Sequence, residues 1–219
     1  MAKAGIDRLV KIAAPGASLE GQLILPAEAD GLVLFAHGSG SSRHSPRNNF
    51  VARTLREAGL GTLLMDLLTG AEDAVYETRF DIELLTDRLE AATSWLQAEP
   101  ATSSLRLGYF GGSTGAAAAL RAAADLGSAI GAVVSRGGRP DLAGPLTGRV
   151  QAPTLLIVGG QDAMVLELNR KAYSQLTTDK RLAIVPGATH LFEEPGALEE
   201  VARLAADWFT RYLSLPRAV

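Results

Sequence analysis

Apolar residues along this chain alternate between short uninterrupted runs and longer stretches in which they recur at helical spacing. Short apolar runs bounded by turn residues are typical of buried strands, and helical spacing is typical of amphipathic helices. The runs predict strands over residues 32–36, 61–65, 105–110, 132–135, 154–158 and 181–185. The spaced stretches predict helices over residues 49–58, 81–97, 114–126, 168–177 and 195–213.

The alternation of strands and helices predicts an α/β fold, a mainly parallel twisted sheet with helices on both faces. Continuous apolar runs agree with this, because both faces of a parallel sheet are covered. Residues 1–28 differ, since 7–13 and 21–25 predict antiparallel strands at the sheet edge. No internal repeat or linker interrupts the 219 residues, so a single domain is predicted over 1–219, with its core over 31–213.

Composition excludes several classes of function. With 21 Lys and Arg against 24 Asp and Glu, the net charge of −3 argues against a nucleic-acid-binding protein. The chain has no cysteine, which excludes disulfides, thiolate nucleophiles and cysteine-based metal sites. Its three histidines do not have the spacing of metal ligands, so no metal site is predicted.

Targeting signals are also missing from the sequence pattern. The first residues include Asp7, Arg8 and Lys11, where a signal peptide needs an unbroken apolar segment. The most apolar stretch, 115–134, contains Arg121 and Asp125, so no membrane span is predicted. We therefore expect a cytoplasmic protein.

A candidate nucleophile occurs in the segment Gly111-Gly112-Ser113-Thr114-Gly115, which matches the pattern G-x-S-x-G. The pentapeptide lies between a predicted strand and a predicted helix, the context in which such a serine is exposed as a nucleophile. The alternative is an ordinary glycine-rich turn with a serine that caps the helix. The strand and helix on either side favour the nucleophile.

A serine hydroxyl needs a base, and the base needs an orienting acid. In parallel sheets the reactive side chains lie beyond the carboxyl ends of the strands. His190 follows the last predicted strand and is the one histidine after Ser113. Asp162 follows the preceding strand and is the favoured acid, and Asp141 is the alternative.

These residues carry a family resemblance. Ser113 in G-x-S-x-G, followed by Asp162 and His190 in that order, resembles an α/β-hydrolase. The compact length, without room for a separate lid domain, and the segment FAHGSGSSRHSPRN resemble the dienelactone-hydrolase-like branch. The best-known members of that branch use a cysteine nucleophile, where this chain has serine.

The resemblance also implies an oxyanion hole. The backbone N–H groups of Ser39 and Thr114 would supply it, and Gly38 and Gly40 would let the loop approach the reacting carbonyl. The glycines of that loop begin like a dinucleotide-binding fingerprint, but Arg43 stands where its third glycine should be, which argues against NAD.

Other polar residues at the predicted strand ends are less decisive. Arg136 and Arg139 could hold a substrate carboxylate or phosphate, with Arg136 the favoured contact, or could pair with Asp141 and other loop acids. The His37 side chain is expected to support the loop backbone rather than act as a second base. Asp66 is expected to form a turn.

The sequence thus predicts a serine hydrolase that acts on a small-molecule ester, lactone or thioester through an acyl-enzyme and needs no cofactor. An acyltransferase or perhydrolase with the same triad remains open, as does a non-catalytic binding or scaffold protein on the same fold. Monomer and homodimer are equally open.

Overall fold

The structure is a computed structural model that describes residues 5–214. The ends of the predicted domain, 1–4 and 215–219, lie outside these residues. The strands of the described part are β1 (Ile6–Ala14), β2 (Ala17–Leu25), β3 (Gly31–Ala36), β4 (Gly61–Met65), β5 (Arg106–Gly112), β6 (Ile130–Arg136), β7 (Thr154–Gly159) and β8 (Lys180–Val185). They form one sheet in the order β1-β2-β4-β3-β5-β6-β7-β8.

The sheet is mainly parallel. β1 and β2 pair antiparallel, as do β2 and β4, and every later pairing, from β4–β3 to β7–β8, is parallel. The parallel strands end at one edge, so the loops that follow β3, β5, β6, β7 and β8 all emerge there. This architecture confirms the predicted fold class.

Helices cover both faces of the sheet. They are α1 (Pro46–Glu57), α2 (Gly70–Asp73), α3 (Ile82–Ala98), α4 (Thr114–Leu126), α5 (Ala163–Gln175) and α6 (Ala197–Leu213). Side chains alternate along β3: Leu32 and Leu34 join the core under α3 and α4, whereas Val33 and Phe35 join the core under α1 and α6. Both faces of the strand are buried, which explains its uninterrupted apolar run.

Two helices begin earlier than predicted. α1 begins at Pro46 rather than 49, because the Ser45 hydroxyl accepts the N–H of Asn48 and proline suits the first helical position. α5 begins at Ala163 rather than 168, in a helix with few buried residues and hence a weak apolar pattern.

The segment between β4 and α3 contains structure that the apolar pattern did not predict. α2 is short and exposed, and a 3₁₀ helix follows at Glu77–Phe80. Thr69 and Glu72 cap α2 reciprocally, so the T-x-x-E pattern was the available sequence signal. No helix within residues 5–214 is long and apolar enough to cross a membrane.

Candidate active site

Ser113 occupies a strained turn between β5 and α4. Its φ and ψ are 49° and −118°, and in the described part of the chain only Phe192 is another non-glycine residue with positive φ. A Cβ on Gly111 would lie 2.4 Å from the Cα of Ala116, and one on Gly115 would lie 2.2 Å from the carbonyl oxygen of Ala36. Both glycines are therefore required for the helix to begin this close to the strand.

The turn is also tied to the end of β6. The Ser113 N–H donates to the carbonyl of Arg136 at 3.2 Å, and the Ser113 carbonyl accepts from the N–H of Arg139 at 3.1 Å. The Ser113 side chain makes no capping hydrogen bond to α4. The alternative interpretation of the motif required the hydroxyl to cap the helix, and the hydroxyl does not do so.

His190 and Asp162 are in contact. Nδ1 of His190 lies 2.7 Å from Oδ2 of Asp162, which is 15% exposed in its side chain against 39% for the histidine. Asp162 stands at the N-cap position of α5, but its side chain makes no capping bond. Its carboxylate is therefore directed to the imidazole rather than to the helix.

Ser113 and His190 line one cavity of about 200 Å³ at the carboxyl edge of the sheet. Gly38 and Ser39 from the loop after β3 line it as well. A Cβ on Gly38 would lie 3.0 Å from the Cβ of Ser113, so this loop passes directly over the serine.

The loop after β3 is bonded to the start of α4. The Ser39 N–H donates to the Oγ1 of Thr114 at 3.0 Å, so this backbone donor already has a partner. Gly40 has a φ of 67° and, like Thr114, lies outside the residues that line the Ser113 cavity. The structure brings Gly38 and Ser39 to the serine and leaves Gly40 at the far side of the loop.

His37 is buried beneath this loop. Its Nδ1 lies 3.0 Å from the carbonyl of Gly38, and its Nε2 accepts the N–H of Leu67 at 2.9 Å. Burial lowers the pKa of His37, against smaller opposing effects of the Gly38 carbonyl and nearby carboxylates. A neutral ring that bridges two loops is the structural role that the sequence predicted.

Asp66 and Asp141 both bind arginines rather than histidine. Asp66 accepts the backbone N–H of Arg43 at 2.7 Å and pairs with its guanidinium, which holds the end of the same loop. Asp141 forms a bidentate ion pair with Arg139, in which Nε and Nη2 of the guanidinium donate to the two carboxylate oxygens at 2.9 and 2.7 Å. These hydrogen bonds lower the pKa of the Asp141 carboxyl. His44 is exposed and does not line the cavity.

Arg136 and Arg139 differ in burial and in their position relative to the cavity. Arg136 is 8% exposed and lines the Ser113 cavity, whereas Arg139 lies outside it with its acid. Sequence reasoning missed Arg47, which lines the same cavity. Its signal was the Ser45-Pro46 start of α1, which places Arg47 in the first turn of a helix at the reactive edge.

No group of three or more His, Asp or Glu side chains within residues 5–214 is arranged to hold a metal ion. The described residues that line the cavity bring four serines, one imidazole and two guanidiniums together. Such a set can move a proton from serine and can bind an anion.

Comparison with known proteins gives one family. The sequence model of the dienelactone hydrolase family matches residues 31–218. A dienelactone hydrolase from Anabaena variabilis is 54% identical in its crystal structure, with a TM-score of 0.93 over 96% of this chain and 99% of that one.

A curated relative from Mycobacterium tuberculosis is 57% identical over 96% of this chain, and carries the provisional name of a phosphoribosyl transferase. The chain spans about half of its length, 47%. The solved structure of Est1E from Butyrivibrio proteoclasticus, 17% identical with a TM-score of 0.78 over 93% of this chain and 98% of that one, shares the fold.

Proposed function

Because this chain belongs to the dienelactone hydrolase family, we propose that it is a serine hydrolase that cleaves a carboxylic ester, lactone or thioester. The family confirms the resemblance stated from the sequence and supports a hydrolase activity. The single observation that carries the finer proposal is the strained serine in one cavity with a histidine that is hydrogen-bonded to a partly buried aspartate.

The proposed reaction follows from these positions. Ser113 Oγ attacks the acyl carbon while Nε2 of His190 accepts the hydroxyl proton. The bond between the acyl carbon and the leaving oxygen or sulfur then breaks, and the imidazolium donates its proton to that atom, so that an alcohol or a thiol leaves. Water attacks the acyl-enzyme by the same route and releases the acid. Asp162 fixes the Nδ1–H tautomer and stabilises the imidazolium.

Backbone N–H groups of Thr114 and Ser39 are the proposed donors to the oxyanion. The Thr114 N–H is in the first turn of α4, where no partner within the helix exists and the helix dipole favours negative charge. The Ser39 N–H would exchange the Thr114 hydroxyl for the oxyanion as charge develops. Each such donor contributes about 3–4 kcal/mol in comparable sites.

Labelling with a fluorophosphonate tests the nucleophile. We expect wild-type protein to form a stoichiometric adduct, located by peptide mass spectrometry on Ser113. Ser113→Ala should lose the adduct and at least about 10³-fold in hydrolysis of a panel of acyl esters of increasing chain length. Ser41→Ala is the matched control, since Ser41 lines the same cavity.

Two outcomes would contradict the proposal. Undiminished ester hydrolysis by Ser113→Ala would remove the nucleophile assignment. A folded wild-type protein that is neither labelled nor active on any ester would favour a non-catalytic protein on this fold. Adding an alcohol or hydrogen peroxide to the acyl-enzyme separates hydrolysis from acyl transfer and perhydrolysis, which use the same residues.

The provisional name of the Mycobacterium tuberculosis relative does not assign a transferase activity to this chain. That protein is about twice as long as the segment that this chain matches, and the family model covers residues 31–218 of this chain as a hydrolase. The proposal therefore concerns acyl chemistry at Ser113.

A further inference from the structure

The backbone N–H of Ser39, one of the two proposed oxyanion donors, is hydrogen-bonded in the free protein. It donates to Oγ1 of Thr114 at 3.0 Å. Thr114 is 2% exposed and is the first residue of α4, so its own backbone N–H is the other proposed donor. One residue therefore provides one donor of the oxyanion hole and, through its side chain, binds the other.

The peptide group that carries the Ser39 N–H is also held at its carbonyl. Nε2 of His37 accepts the N–H of Leu67 at 2.9 Å, so the ring proton is on Nδ1, which donates to the Gly38 carbonyl at 3.0 Å. The same carbonyl accepts the N–H of Ser41 at 3.2 Å. Since the C=O and N–H of a trans peptide point in opposite directions, these bonds and the bond to the Thr114 hydroxyl hold the group in one orientation.

Behind the loop, the Thr114 hydroxyl has no substitute. Gly38, Ser39 and Thr114 border a narrow cleft on that side, which has no room for a water molecule. Within residues 5–214 the Ser39 N–H makes no other hydrogen bond. If the hydroxyl were removed, the other acceptors within reach of this N–H would be those in the cavity that Ser113 lines.

An acyl oxygen in that cavity has to replace the Thr114 hydroxyl in order to bind the Ser39 N–H. The carbonyl oxygen of an intact ester is neutral, so the exchange replaces one neutral hydrogen bond by another and gains little. The oxygen of the tetrahedral intermediate is negatively charged, and a hydrogen bond to a charged acceptor is about twice as strong. The exchange is therefore favoured only after Ser113 has attacked the ester.

We propose that the side chain of Thr114 is a positioning group, an acceptor that keeps the Ser39 N–H from the intact ester and releases it to the oxyanion. The Ser39 donor then stabilises the transition state without stabilising the bound substrate, and only such a difference accelerates the chemical step. The inference rests on the proposed hydrolase function and adds a selective step to its oxyanion hole.

Binding of an intact ester can be measured in the Ser113→Ala protein, which lacks the nucleophile. Calorimetric titration with ethyl butyrate should show about 2- to 10-fold tighter binding when Thr114→Val is added, because the freed Ser39 N–H then binds the ester carbonyl. Thr114→Ser keeps the acceptor and should bind the ester more weakly than Thr114→Val by the same factor. Thr147→Val is the matched control, since that buried hydroxyl bonds to the Gly144 carbonyl outside the cavity.

Turnover gives the second readout. The acylation step is slow for an alkyl ester, so KM for ethyl butyrate reports substrate dissociation. We expect KM to fall about 2- to 10-fold in Thr114→Val relative to Thr114→Ser, and kcat/KM to rise. An unchanged or raised KM together with a lower kcat would show that the hydroxyl only supports the loop, and would overturn the proposal.

The amide resonance of Ser39 tests the exchange in the wild-type protein, without any substitution. A trifluoromethyl ketone forms a charged tetrahedral adduct with a serine nucleophile and should shift the ¹H–¹⁵N signal of Ser39. The matched methyl ketone stays neutral and should leave that signal in place. Equal shifts with the two ketones would contradict the selective release of the N–H.

The positioning role and the hydrolase function fail separately. If hydrolysis depends on Ser113 but ester binding is the same in Thr114→Val and Thr114→Ser, the hydrolase stands and the role of the hydroxyl is refuted. If the wild-type protein cleaves no ester but Thr114→Val still tightens ester binding to the Ser113→Ala protein, the capture of the Ser39 N–H stands and the hydrolase proposal fails.

Discussion

His190 and Asp162 are 28 positions apart in the chain, yet Nδ1 of the first lies 2.7 Å from Oδ2 of the second. The two loops that carry them are joined through the backbone, since the Gln161 N–H donates to the carbonyl of Ala188 at 2.9 Å. The aspartate is the more buried partner, and a carboxylate that is largely shielded from water interacts strongly with an imidazolium. The pair is thus held in one orientation before any substrate binds.

Asp162→Asn should therefore impair turnover far more than folding. The amide can accept or donate at this position and so permits the wrong imidazole tautomer, which in a serine triad costs on the order of 10⁴-fold in kcat. Steady-state hydrolysis of a 4-nitrophenyl ester, with circular dichroism to confirm folding, measures this.

Asp141→Asn is the matched control, because Arg139 binds that carboxylate. We expect it to keep kcat within a few-fold of wild type. If Asp141→Asn were the damaging change and Asp162→Asn were mild, the acid would have to be assigned to the end of β6 instead.

The strain at Ser113 predicts a difference between two substitutions that both remove the hydroxyl. Glycine adopts positive φ without steric cost, whereas alanine keeps the strain of about 1–3 kcal/mol. Glycine also gains entropy in the unfolded chain, which offsets part of this. Ser113→Gly should thus unfold in urea with a free energy roughly 1 kcal/mol above Ser113→Ala. Equal values, or a less stable glycine variant, would show that the turn is relaxed.

The elements around the site were predictable because their signals are local. β4 and α4 have the predicted bounds, since an all-buried parallel strand is an unbroken apolar run and the helix is bounded by Ser113 and Gly127. The contact between His190 and Asp162 was also predicted, from the rule that parallel strands end at the same edge.

The side-chain and backbone partners of several site residues could not be predicted from the sequence. The sequence favoured Arg136 over Arg139 for substrate contact but left open which of the two pairs with an acid of the loop, since both stand close together at the end of β6. The structure separates them, because the first turns back over Gly112 and the second meets Asp141. The hydrogen bond from the Ser39 N–H to the Thr114 hydroxyl could not be predicted either, because it joins residues 75 positions apart across two strand ends.

The close contact at Gly115 predicts that a side chain added there destabilises the protein. A Cβ there would lie 2.2 Å from the carbonyl oxygen of Ala36 and 2.4 Å from that of His37, and both are backbone atoms that cannot rotate away. Gly115→Ala should lose about 3 kcal/mol or more of unfolding free energy, or fail to fold. Gly70→Ala is the control, since a Cβ there meets nothing within 4 Å and should change stability by less than about 0.5 kcal/mol. Equal stability of the two variants would contradict the packing described for the start of α4.

His37 makes the stability of the protein depend on pH. Burial lowers its pKa below the ordinary value of 6.5, so the folded protein holds a neutral ring where the unfolded chain binds a proton. The unfolded state therefore takes up more protons below about pH 6.5, and stability is lost as the pH falls from there toward the folded-state pKa. One proton contributes a slope of at most about 1.4 kcal/mol per pH unit. Urea unfolding at pH 7, 6 and 5 should show this contribution in wild type and in His44→Gln, whose ring is exposed, and should lack it in His37→Gln. Identical slopes for His37→Gln and wild type would mean that folding does not lower the pKa of the ring beneath the Gly38 loop.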